Sequence, residues 1–123
     1  ADYKQAEKHY QELIKIYLAL AQRHGFVPVI VYIPLGFEIK DYLARGHELR
    51  FNAFLAEVVE EHQTTNLIVI DLAREISKLD KTVSMEQFYV RPYDGHPSAY
   101  GNKIIAEIIY KNIKPILQAG MRQ

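Results

Sequence analysis

The chain has 123 residues, with 15 basic and 15 acidic side chains and no cysteine. Balanced charge argues against nucleic acid and anionic membrane surfaces as partners, because both draw a basic excess. The missing cysteine removes thiol catalysis, disulfides and cysteine-based zinc sites, and no apolar run approaches the ~20 residues of a membrane span.

The opening Ala1-Asp2-Tyr3-Lys4-Gln5 is polar and reads as an interior cut, leaving room for a lost targeting segment before it. From Ala6 to His24 the apolar positions Tyr10, Leu13, Ile14, Tyr17, Leu18 and Ala21 fall on one helical face. Gly25 suits a helix stop. Val27 to Ile33 is short, β-branched and almost continuously apolar, the pattern of a strand buried on both faces. Pro34-Leu35-Gly36 ends it. Phe37 to Leu43 reads equally as a loop or a short helix, and Gly46 breaks the pattern. Glu48 to Gln63 returns to helical spacing through Phe51, Phe54, Leu55, Val58 and Val59. After the turn Thr64-Thr65-Asn66, Leu67 to Ile70 reads as a second buried strand. Asp71 opens a shorter helix ending near Leu79, and Met85 to Val90 reads as a short strand or an extended segment under the site loop. The last helix carries Ile104, Ile105, Ile108, Ile109 and Ile113 on one side. Pro115 is expected to end or kink it, with a loose tail from Ala119.

Long helices between short apolar strands predict an α/β fold with a parallel sheet. Two strands make a poor sheet alone. Their edges call for completion by further strands or another chain, unless the helix Ala6–His24 folds over the edge.

Chemistry concentrates in Tyr93-Asp94-Gly95-His96-Pro97-Ser98-Ala99-Tyr100-Gly101-Asn102. Pro97 fixes its own φ and keeps His96 out of helical geometry. Ser98 is a good N-cap for a helix from Ala99. His96 therefore stands just before a helix on stiff backbone, with a carboxylate two residues away. An imidazole accepts and returns a proton near neutral pH, and a neighbouring acid fixes its tautomer. Asp94 can instead cap the turn and the following helix through backbone N–H groups. Asp71, ending a strand before a helix, reads as an N-cap. No nucleophile stands out. Ser77 and Ser84 lack a Gly-x-Ser-x-Gly or Gly-Asp-Ser context, and Ser98 is accounted for as a cap. His9, His24, His47 and His62 are scattered without metal-ligand spacing.

The run Asp94-Gly95-His96-Pro97-Ser98-Ala99-Tyr100-Gly101-Asn102-Lys103-Ile104-Ile105-Ala106 resembles the closing block of the SGNH/GDSL hydrolases. That block usually reads Asp-x-x-His-Pro and is shortened here to Asp-x-His. Ser98 stands where Asn is common. Val29-Ile30-Val31-Tyr32-Ile33-Pro34 and Leu67-Ile68-Val69-Ile70-Asp71-Leu72 resemble the family's last two core strands, so the likeness runs from about Tyr10 to Leu117. The Gly-Asp-Ser block and the oxyanion blocks are absent from the chain.

The resemblance implies the C-terminal part, 1–123, of a single hydrolase domain. The expected architecture is a three-layer, flavodoxin-like parallel sheet, of which this part holds two strands with helices on both faces. It further implies hydrolysis of acyl esters or O-acetyl groups, with His96 as general base and acid, Asp94 orienting it, and the serine outside the chain. No cofactor or metal is implied. The expected partners are an acyl-ester small molecule or acetylated glycan, and either the missing N-terminal segment or a second copy joined through a sheet edge. A non-catalytic binding or assembly module and an acyltransferase are the alternatives on the same scaffold.

Overall fold

A computed structural model describes residues 3–46, 50–63, 65–79, 83–90 and 95–121. The elements run α1 (Tyr3–His24), β1 (Val29–Tyr32), α2 (Gly36–Arg45), α3 (Arg50–Glu61), β2 (Ile68–Asp71), α4 (Leu72–Ser77), α5 (Met85–Phe88) and α6 (Ala99–Met121). The chain divides into two compact units, one formed by Ala1–Ile30 with Arg50–Val69 and the other by Val31–Leu49 with Ile70–Gln123.

In the first unit, α1 and α3 are amphipathic and bury Ile14 against Phe54 and Val58, with Leu18, Ile30 and Leu67 packed around them. The Tyr10 and Phe54 rings lie 6.3 Å apart at the flank. Gly25 takes φ 71°, a left-handed conformation that ends α1 without a Cβ clash. Ile68 N–H donates to the Pro28 carbonyl at 3.0 Å. Strand groups alternate in direction, so Val29 faces away from β2. Its N–H donates to the Tyr17 hydroxyl at 3.2 Å, and that hydroxyl donates to the Val29 carbonyl at 3.4 Å. A side chain of α1 thus satisfies backbone groups that a neighbouring strand would otherwise take.

In the second unit, Ile39 of α2, Leu72, Ala73 and Ile76 of α4, Phe88 of α5, and Ile105 and Ile108 of α6 are buried. Helix α6 packs on α4 and α5, and α2 packs on α4. Leu35 opens α2: its carbonyl accepts from Ile39 N–H at 3.1 Å, and its N–H donates to the Glu38 carboxylate at 2.8 Å. Gly46 closes the helix at φ 65°. The closest fit in the unit is at Gly101, where an added Cβ would run into the Phe88 carbonyl oxygen.

The expected three-layer, flavodoxin-like sheet with helices on both faces does not form. Among the described residues the chain is mostly helical, with only two parallel strands of four residues. All four residues of β1 are half-buried, and only Ile70 of β2 is fully buried. Two short strands offer too little width to carry a helical layer on each face, so the strands that read as doubly buried are covered only in part. Local expectations change as well. Phe37 to Leu43 is helical, and Met85 to Phe88 is one helical turn rather than extended. Pro115 lies inside α6, which continues to Met121 rather than loosening at Ala119. Pro115 supplies no N–H for the Lys111 carbonyl, and both residues are exposed.

Replacing Gly101 with Ala is expected to destabilise the chain by about 1–3 kcal/mol, because the obstructing atom is backbone and cannot rotate away. Urea unfolding of Gly101→Ala beside wild type checks this. An unchanged midpoint would mean that α6 can shift off Phe88 at little cost.

Candidate functional site

Two loops and a polar group of the second unit meet around Tyr89. The first is the His-Pro turn. Tyr89 and Pro97 face each other in an isolated antiparallel bridge. Val90 N–H donates to the His96 carbonyl at 3.0 Å, and Ser98 N–H donates to the Phe88 carbonyl at 2.8 Å. These two bonds flank the Tyr89–Pro97 pair, which occupies the ladder position that exchanges no hydrogen bond of its own. Proline lacks a backbone donor, and this is the one place in the bridge that requires none.

Ser98 fixes the other side of the turn. Its hydroxyl accepts from Gly101 N–H at 3.1 Å, and its carbonyl accepts from Asn102 N–H at 2.8 Å. The hydroxyl also donates to the carbonyls of Gln87 and Phe88. Ser98 therefore caps α6 and ties its start to α5. His96 is held between the bridge and the cap with its imidazole exposed. Asp94, the expected orienting acid, lies outside the described residues.

The second loop is Ile33 to Leu35, leaving the carboxyl end of β1. The Tyr89 hydroxyl donates to the buried Pro34 carbonyl at 3.1 Å. The Tyr89 ring lies flush on Gly36, where a Cβ would stand 3.1 Å from ring atom Cδ2. Gly95 approaches the same loop, since a Cβ there would stand 2.8 Å from Leu35 Cδ2. The turn carrying His96 is thus seated on the loop that follows β1.

The third element is a half-buried polar group at the strand ends. Tyr32, the last residue of β1, is hydrogen-bonded to the Glu38 carboxylate. Burial pushes the Tyr32 phenol well above its ordinary range, and the charges of Glu38 and Asp71 raise it further. Burial, reinforced by the Glu38 charge, pushes the Tyr89 phenol up to about 12. Asp71 accepts from Ala73 N–H at 3.1 Å and Arg74 N–H at 3.3 Å, and its other oxygen lies 3.6 Å from Arg74 Nε. It is the N-cap of α4, as its place before a helix suggested.

Of the residues singled out from sequence, the structure seats Gly95, beside His96, on Leu35 and assigns Ser98 and Asp71 to caps. Tyr89, Tyr32 and Glu38 are the members that sequence reading missed. Glu38 follows Leu35 by three residues, half of a capping box, but a leucine in place of Ser or Thr hides the signal. Tyr89 has no local signature, because its hydroxyl partner is 55 residues away. Among the described residues no group of three or more His, Cys, Asp or Glu side chains could hold a metal ion. Among the same residues no helix is long and apolar enough to cross a membrane. No family model, curated protein or solved structure matches the chain.

The phenols give the site an alkaline signature. A phenol raised in the folded state stays neutral there while the unfolded chain ionises near its ordinary ~10. The unfolded state then binds fewer protons, so stability falls as pH rises. Tyr89 contributes in full below about pH 10 and loses its contribution progressively up to about 12. Chemical denaturation across pH 9 to 12 should show this decline reduced in Tyr89→Phe, and an identical pH slope in the two proteins would contradict it.

Proposed function

We propose that this chain supplies the general base of a serine ester hydrolase acting on acyl esters or O-acetyl groups, with the nucleophilic serine and the oxyanion donors contributed by polypeptide outside these 123 residues. The observation that carries the reading is the presentation of His96. Its imidazole is exposed, while its backbone is fixed by the Val90 hydrogen bond on one side and the Ser98 cap on the other. The turn also sits on the loop leaving the carboxyl end of β1. A fixed backbone with an exposed imidazole suits a group that must meet a serine hydroxyl in one orientation.

In this reading His96 takes the serine proton as the hydroxyl attacks the ester carbonyl, and returns it to the departing alcohol. Asp94, two residues before it in the sequence, accepts the other ring N–H and holds the tautomer. The substrate is a small acyl ester or an acetylated glycan. The macromolecular partner is the segment bearing the serine, or a second copy joined through a sheet edge.

A non-catalytic assembly module is the second reading. One observation favours it: Tyr10, Leu13, Ile16 and Leu20 along α1 are 43% to 59% exposed, a run of apolar surface suited to a partner. The serine distinguishes the two readings. A Gly-Asp-Ser block in a longer polypeptide, with turnover that depends on it, supports the hydrolase, and its absence supports the module.

The 123-residue chain alone should hydrolyse p-nitrophenyl acetate no faster than its His96→Ala variant. Serine-dependent turnover that can be trapped covalently in this chain would overturn the division of labour. In the polypeptide that carries the serine, His96→Ala should lower kcat by about ten-thousandfold and leave KM little changed. A kcat within tenfold of wild type would remove His96 from the reaction.

A further inference from the structure

We infer that Tyr89 is the residue that positions His96, an inference resting on the hydrolase reading for what His96 does but not for how it is held. Tyr89 meets the His96 turn and the loop after β1 through three separate contacts. Its backbone forms the bridge to Pro97, next to His96. Its ring rests on Gly36. Its hydroxyl donates to the Pro34 carbonyl at 3.1 Å, a bond buried at both ends.

The geometry makes these contacts act together. The backbone pairing fixes the level of the His96 turn relative to α5, since the Val90 and Ser98 bonds lie on either side of the Tyr89–Pro97 pair. It does not fix the turn relative to the loop after β1. The Tyr89 side chain supplies that second coordinate, because ring and hydroxyl both engage this loop. Gly36 is required at its position for the same reason: the ring lies where a larger side chain would push it away. Rotating or lifting the ring would break the hydrogen bond to Pro34 and let the His96 turn slide along the loop. A displacement of about 1 Å at a catalytic group can cost about a hundredfold in rate.

Two substitutions test the claim with the fold kept intact. Tyr89→Phe removes only the hydroxyl, and Gly36→Ala moves the ring. In the isolated chain, amide exchange at Val90 and Ser98 should quicken about tenfold in both variants, while α1 amides exchange as in wild type. In the polypeptide that carries the serine, kcat should fall at least tenfold in each, with KM within twofold. The double variant should be little worse than either single one, since both release the same contact.

Unchanged exchange at Val90 in Tyr89→Phe would overturn the inference. Faster exchange with unchanged kcat, in an enzyme that needs His96, would also overturn it and reduce Tyr89 to a packing residue. If no His96-dependent turnover exists at all, the hydrolase reading fails, and the exchange measurement alone decides whether Tyr89 fixes the turn.

Discussion

The His96 end of the chain depends on one carbonyl oxygen, that of Phe88. It accepts Ser98 N–H at 2.8 Å and the Ser98 hydroxyl at 3.1 Å, and Gly101 passes too close to it to carry a Cβ. Three features of the sequence answer to this atom. A serine supplies both donors, a glycine three residues later clears the space, and a proline before the serine leaves the ladder without an unmet N–H. A shift of Phe88 would move the helix start, the His-Pro turn and Tyr89 together. The His96 turn is therefore stiff because α6 is seated, and α6 is seated because a backbone group rather than a side chain receives it.

Much of this was legible in sequence, for a reason that also marks the limit. Ser98 and Asp71 were readable as caps because a cap is satisfied within three residues of itself. The stiff presentation of His96 followed from Pro97, again a local effect. The apolar periodicity of α1, α3 and α6 located only part of their inner faces: Ile14 and Ala21, then Phe54 and Val58, then Ile105 and Ile108 are buried, whereas Tyr10, Leu13 and Val59 on the same predicted faces are exposed. What sequence could not show is what covers a strand. Val29 to Tyr32 has the composition of a fully buried strand, yet composition states only what burial would be favourable. Among the described residues the two strands pair only with each other, and every residue of β1 remains half-covered. Tyr89 was invisible for a related reason, since its role is defined by a carbonyl far away along the chain.

The polar group at the strand ends shows why two tyrosines stand there. Each brings an apolar ring that fills space and one hydroxyl that needs a partner. Tyr32 donates a hydrogen bond to the Glu38 carboxylate, and Tyr89 donates one to the Pro34 carbonyl. Glu38 spends its acceptor capacity twice, on Tyr32 and on the Leu35 N–H that opens α2. A carboxylate this close to burial is stabilised by such donors, and in return it holds the loop after β1 in the shape that Tyr89 meets.

Pro28 and Pro34 are both fully buried and stand at either end of Val29-Ile30-Val31-Tyr32-Ile33. That five-residue stretch is uncharged and rich in β-branched and aromatic side chains, the composition that feeds amyloid-like stacking. The prolines act as stops. Neither can donate a backbone hydrogen bond, so an intruding strand gains at most five residues of ladder before it meets a gap at each end. Tyr17 shortens that further by occupying Val29. The same run that gives the chain its most apolar strand is thereby kept too short to template a fibril, and a proline-to-alanine change at either end would lengthen the adhesive segment without altering any side chain in the core of the strand.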